Sequence, residues 1–257
     1  MKVVILAGGF GTRISEESHL KPKPMIEIGG HPLLWHVMKI YSHYGFNEFI
    51  ICGGYKQHVI KEYFADYYLH NSDVTFDFTK GGAITIHNNV SEPWKVTVVD
   101  TGYDTMTGGR IKRVAPYIGN ESFMITYGDG VADINVIELL QFHKKMGKMV
   151  TITAVNPGQR FGVLNITEEG LVSEFREKND IDGALKNGGF MVAEPKLFDY
   201  IDGDDMFLEK EPLERIALEG ELVAYKHSGF WQCMDTQRDK ERLEMLWSSP
   251  DAPWKVW

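Results

Sequence analysis

Two short runs of large apolar residues, VVILA at Val3–Ala7 and FIIC at Phe49–Cys52, each end in a pair of glycines. Runs this short and this apolar read as strands buried on both faces. Between them Leu33, Leu34, Val37, Met38 and Tyr41 recur at helical spacing, with Pro32 where a helix can begin and Gly45 where it stops. Val59, Ile60, Tyr63, Phe64 and Tyr67 mark a second helix after the second strand. Strand, helix, strand, helix at this pitch demands a parallel sheet covered by helices, because only buried strands can do without a polar face.

The same reading places strands at 74–78, 83–87, 96–100, 123–127 and 149–155, with helices over 108–117 and 134–146. Beyond Gly162 the texture becomes richer in strands. A hairpin at 163–176 turns over Glu169-Gly170, and strands follow at 190–193 and 222–227. Short helices begin at Pro195 and Pro212, and an amphipathic helix spans Arg238–Trp247. The expectation is one domain over 1–257: an α/β, Rossmann-like, mostly parallel sheet flanked by helices, with a β-rich C-terminal lobe.

A formal charge of −9 argues against a general nucleic-acid or membrane-surface binder, since those carry a basic field. A local basic pocket for one phosphorylated ligand remains compatible with it. Cys52 and Cys233, the two cysteines, both lie in apolar surroundings and read as free thiols in a reducing compartment. Met1–Leu6 is too short for a signal-peptide core, and no apolar run approaches the ~20 residues of a membrane span. A cytoplasmic protein is expected.

The loop LAGGFGTRI, Leu6–Ile14, follows the first strand, where α/β proteins bind ligands. A dinucleotide fingerprint fits in part: Gly9 and Gly11 supply two glycines, and Ile14 stands in the third place. No Gly-Lys-Ser/Thr completes a P-loop. Arg13 adds a fork of donors, and Lys23 in LKPKPM sits between prolines that fix its backbone. Glycine N–H groups with Arg13 and Lys23 suit a polyphosphate, although a plain tight turn and solvated lysines read nearly as well.

MITYGDG sets Asp129 just past a strand, placed to hold a hard cation, or simply to form a turn. GFWQCMDT offers Asp235, either a second carboxylate or the cap of the final helix. TGGR around Arg110, FREK with Glu177 and Lys178, and KNGGF with Asn187 supply further donors and acceptors. No Gly-x-Ser-x-Gly elbow, His-Glu-x-x-His or Cys-x-x-Cys is present. A substrate that carries its own oxyanion, such as a sugar phosphate, needs no activated side chain, only positioning and charge neutralisation.

Carried by VILAGGFGTR, KPKPMIEIGG, SDVTF, EPW, VDTG, MTGGRIKRV, TYGDG, RFG, NGGF, GFWQCMDT and APWK, the whole chain resembles the sugar-phosphate nucleotidylyltransferases. EPW, MTGGR and GFWQCMDT point to the cytidylyl branch of that family. The resemblance implies CTP and glucose 1-phosphate as substrates, Mg²⁺ as cofactor and a homo-oligomer, with neither nucleic acid nor membrane as partner. It assigns Leu6, Ala7, Gly8, Gly9, Phe10, Gly11, Thr12 and Arg13 to the nucleotide and its phosphates. Lys23 would meet the α-phosphate, Thr105 and Arg110 the nucleotide, and Gly128 the ribose region. Asp129 and Asp235 would hold Mg²⁺, while Glu177, Lys178 and Asn187 would face the sugar phosphate. Arg13 and Lys23 would be the catalytic pair. The chain departs from the family at Glu177-Lys178-Asn179, where a proline is usual, and at NPGQRFG. Competing readings are a uridylyl- or thymidylyltransferase, an NAD(P)-binding oxidoreductase and a non-catalytic sugar-nucleotide sensor. Selection of cytosine requires an acceptor for its amino group, most simply a backbone carbonyl of the glycine loop or of Thr105–Gly109.

Overall fold

The computed structural model describes residues 1–11, 14, 19–156, 163–166, 172–176 and 185–257, with the strands at 163–166 and 172–176 described by their backbone alone. The first half runs β1 (Val3–Leu6), β2 (Glu27–Ile28), β3 (His31–Pro32), α1 (Leu33–His43), β4 (Glu48–Gly53), α2 (Gln57–Ala65) and α3 (Tyr67–His70). After these come β5 (Asp73–Asp77), β6 (Ala83–His87), β7 (Lys95–Asp100), α4 (Thr107–Arg113), α5 (Ala115–Ile118) and β8 (Phe123–Tyr127). The second half continues with β9 (Gly130–Ala132), α6 (Val136–Met146), β10 (Val150–Val155), β11 (Val163–Ile166), β12 (Val172–Arg176) and β13 (Lys186–Ala193). It closes with α7 (Glu211–Leu218), β14 (Leu222–His227), β15 (Trp231–Cys233) and α8 (Gln237–Trp247).

Among the described residues seven strands form the central sheet, in the order β14-β10-β13-β8-β1-β4-β7. Pairing is parallel throughout except at β13, which runs antiparallel to both neighbours. The first strand shows why the sheet is buried on both sides. Val3 and Ile5 enter one core with Leu34, Val37 and Met38 of α1. Val4 and Leu6 enter a second core with Ile111 and Val114 on the other face. An alternation that would leave one face polar in an open sheet is here apolar on both, as VVIL requires.

Strand 190–193 begins earlier than its apolar residues suggest, at Lys186, and with β14 it joins the central sheet. The two halves of the sequence thus share one sheet, and β11–β12 form a separate two-stranded pair. Pro32 stands at the start of α1, and Gly45 (φ 86°) follows its end, a conformation an L side chain rarely adopts. No helix among the described residues is long and apolar enough to cross a membrane.

Candidate active site

The carboxyl ends of β8, β1, β4 and β7 lie side by side, and the loops leaving β8, β1 and β7 enclose a cavity of about 330 Å³. Leu6, Ala7, Gly8, Gly9, Phe10 and Gly11 line it, with Lys23, Thr105, Arg110, Asp129 and Asp235. Eleven residues singled out from sequence therefore share one cavity. Thr12, Arg13, Glu177 and Lys178 lie outside the described residues. Asn187 and Gly128 are not in the cavity wall but stand directly behind it. The Asn187 side chain accepts from Gly189 N at 3.0 Å and meets the Tyr127 phenol. At Gly128 an added Cβ would come within 2.9 Å of Pro24, so glycine there lets the Lys23 segment close down on the sheet.

At one pole Lys23 Nζ donates to Asp129 Oδ2 at 2.7 Å and to Asp235 Oδ1 at 2.6 Å. Burial opposes the Lys23 charge, but the two carboxylates more than offset it and raise its pKa above the ordinary lysine value. Pro22 and Pro24 hold the lysine in a short 3₁₀ turn, with Met25 N donating to Pro22 O. Lys21, two residues earlier, pairs instead with exposed Glu27 at the surface. The carboxylates, more than a hundred residues apart in sequence, are brought together by the antiparallel pair β9–β15, and Met234 N donates to Asp129 O at 2.8 Å. Thr236, not Asp235, caps α8, in a reciprocal pair with Asp239. That leaves Asp235 facing the cavity, where its Oδ2 also accepts from the Cys233 thiol at 3.7 Å. Burial pushes that thiol up to about 12, so it stays protonated.

The opposite pole is built around Arg110, a buried guanidinium facing uncharged acceptors. Its two terminal nitrogens donate to the carbonyls of Gly8, Gly53, Gly102 and Tyr103 and to the Thr101 hydroxyl, at 2.8–3.2 Å. A Cβ at Gly8 or Gly54 would lie 2.3–2.4 Å from this group, which explains why both loops carry glycine there. Above them the rings of Phe10, Tyr55 and Tyr103 meet one another at 5.0–6.0 Å between centroids. The first N–H groups of α4 are equally engaged, with Gly108 N and Gly109 N both donating to Met206 O. Ile14, in the place of a third fingerprint glycine, is buried in the core.

Sequence reasoning missed Asp104, Tyr127 and Phe207, which with Pro24, Met106 and Thr107 complete the wall. The Tyr127 phenol donates to Glu209, whose other oxygen accepts from Thr107 Oγ1 at 2.6 Å. Tyr127 ends a strand beside the Gly-Asp-Gly turn and was legible in principle. Phe207 and Glu209, in a loop about eighty residues away, were not.

A polyphosphate fits this division: a lysine with two carboxylates at one end and a wall braced by Arg110 at the other. The family model described as nucleotidyl transferase matches residues 2–220. The chain belongs to the nucleotidyl transferase family. Within that family it is 56% identical to the glucose-1-phosphate cytidylyltransferase of Salmonella typhi, and equally to that of Salmonella typhimurium, over the full length of each pair. Among solved structures, HddC from Yersinia pseudotuberculosis superposes with a TM-score of 0.68 at 23% identity, covering 96% of this chain and 99% of that one. This likeness confirms the α/β, mostly parallel fold expected from the strand and helix pattern.

Proposed function

We infer that this nucleotidyltransferase transfers a cytidylyl group from CTP to α-D-glucose 1-phosphate, giving CDP-glucose and pyrophosphate. Full-length identity to two glucose-1-phosphate cytidylyltransferases supports the substrates, and the meeting of Lys23, Asp129 and Asp235 in one cavity supports the chemistry. A phosphate oxygen of the sugar attacks the α-phosphorus. The bond from that phosphorus to the oxygen bridging to the β-phosphorus breaks, and its electron pair leaves with pyrophosphate. A sugar phosphate has its second pKa near ~6, so the nucleophile is already an anion at neutral pH.

In this reading Lys23 moves its ammonium from the carboxylates to the α-phosphate, where negative charge shifts during attack. Arg13 and the glycine loop bind the triphosphate, and Glu177, Lys178 and Asn187 hold the sugar phosphate. Asp129 and Asp235 would hold Mg²⁺. The fit is good, since both present oxygens within 2.7 Å of one point and two carboxylates plus phosphate oxygens and water suit that ion. When bound, the ion supplies charge neutralisation to the triphosphate. A homo-oligomer in the cytoplasm belongs to the same reading. It is supported by the β5–β6 hairpin, whose face of Val74, Phe76, Ile84 and Ile86 leaves its three larger residues exposed among the described residues. Two free cysteines fit a reducing compartment.

The deciding experiment follows pyrophosphate release from CTP, UTP, dTTP and GTP with glucose 1-phosphate and Mg²⁺. Turnover led by CTP is expected. Turnover led by UTP or dTTP would move the chain to a sister activity, and saturable binding without pyrophosphate would make it a sensor.

A further inference from the structure

Cytosine differs from uracil and thymine at one edge position, where a 4-amino donor replaces a carbonyl acceptor. Whatever reads that position must accept a hydrogen bond. Five of the backbone carbonyls that close this end of the sheet are already engaged. Gly8 O accepts from Tyr55 N and from Arg110, and Gly53 O accepts from Thr101 N, the Thr101 hydroxyl and Arg110. Gly102 O and Tyr103 O also accept from Arg110. The carbonyl of Met106 is taken by the first turn of α4.

One side chain in the same wall is an acceptor and nothing else. Asp104 lines the cavity between Tyr103 and Thr105, is exposed, and hydrogen-bonds to no described residue. It follows β7, three strands across the sheet from the β8 end that carries Asp129, so it stands at the pole opposite the charge centre. Arg110 holds the two residues before Asp104, through the carbonyls of Gly102 and Tyr103. A nucleotide with its phosphates at Lys23 and Asp129 extends its base toward this pole. A carboxylate there accepts from an exocyclic amino group and repels a carbonyl oxygen.

We propose that Asp104 is the specificity-determining residue that selects cytosine over uracil and thymine, with Arg110 acting as a positioning residue that fixes the loop carrying it. The proposal rests on the nucleotidyl-transfer reading. It revises the sequence-based expectation of a backbone reader.

The test is Asp104→Asn, which keeps the shape and adds an amide donor. For the wild-type protein kcat/KM should favour CTP over UTP by roughly ten- to hundredfold. In Asp104→Asn that ratio should fall by about tenfold or more, through loss of CTP and gain of UTP. Asp104→Ala should lose CTP preference without gaining UTP. Equilibrium dialysis of CTP and UTP without sugar phosphate reads the same selection in the absence of turnover, so it separates this proposal from the reaction it rests on. A changed binding ratio in a chain that releases no pyrophosphate would sink the reaction and leave Asp104 standing. An unchanged ratio in both assays, with both nucleotides weakened equally or not at all, would overturn the assignment.

Discussion

Lys23 and Arg110 share one cavity and treat their charge in opposite ways. The lysine holds two carboxylates that keep partial access to water, with side chains 32% and 26% exposed. Such a contact can be exchanged, because a phosphate oxygen can replace either carboxylate without stranding a buried group. The arginine gives its terminal donors to five neutral acceptors on three chain segments, and letting go would give up all five hydrogen bonds at once. The difference teaches that a cation lining a site is not thereby a ligand-binding cation. What matters is whether its existing partners can be given up. Arg110, assigned to the nucleotide by resemblance, is on this geometry a brace that shapes the wall.

The comparison breaks most visibly in kinetics. Asp129→Asn, Asp235→Asn and Lys23→Ala should each lower kcat/KM by ~10²-fold or more, the scale of removing one preorganised charge at a transition state. Raised Mg²⁺ should rescue the two Asp variants in part. Lys23→Arg should remain poor, since a planar fork does not replace a compact charge. In each Asp variant stability should move by less than about 1 kcal/mol, because the carboxylates keep access to water and Lys23 retains the other one. Normal turnover by Lys23→Arg would reduce the lysine to part of a general positive field.

Arg110 should show the reverse order of effects. Arg110→Met is expected to cost on the order of 3 kcal/mol, roughly 6–12 °C in Tm for a domain of this size. Gly8→Ala should be costly for the same reason, as its Cβ would lie 2.3 Å from a guanidinium that five acceptors hold in place. In an Arg110→Ala background that cost should largely vanish, which a double-mutant cycle in thermal melts reads directly. An Arg110→Met protein with unchanged Tm and weakened CTP binding would instead make the arginine a nucleotide contact.

His36 sharpens the contrast with a buried group that is kept neutral. Its Nε2 meets Ile28 O at 2.9 Å, and Trp254 Nε1 donates to its Nδ1 at 3.3 Å, so the uncharged ring uses both nitrogens. Burial lowers its pKa to about 4 from 6.5. The unfolded chain therefore binds this proton first as pH falls. The stabilisation is whole above pH 6.5 and is lost between there and about 4, with about 1 kcal/mol gone by pH 5.5. In denaturant melts at pH 7.5 and 5.5, His36→Gln should show a correspondingly smaller pH dependence than the wild type. An equal dependence would show that His36 is not the group responsible.

Local pattern carried much of this protein. VVIL and FIIC could be satisfied only by strands covered on both faces, Pro32 and Gly45 bounded α1, and the glycines after β1 placed the ligand end of the sheet. These follow from backbone sterics and side-chain period, which act over a few residues. Sequence could also name Lys23, Asp129 and Asp235, but each stood level with a plain surface lysine, a turn or a helix cap. The tertiary structure brought the three together in one cavity. The β9–β15 pair is three residues on each side, too short to carry any periodic signal, yet it alone sets Asp129 beside Asp235. Thr236 takes the cap and leaves Asp235 to the cavity. The role of Arg110 likewise depends on where Gly8, Gly53 and Gly102 meet, and those three positions are far apart in the chain. Hydrogen-bond saturation is a property of the assembled loops, so no reading of TGGR could have told a brace from a ligand.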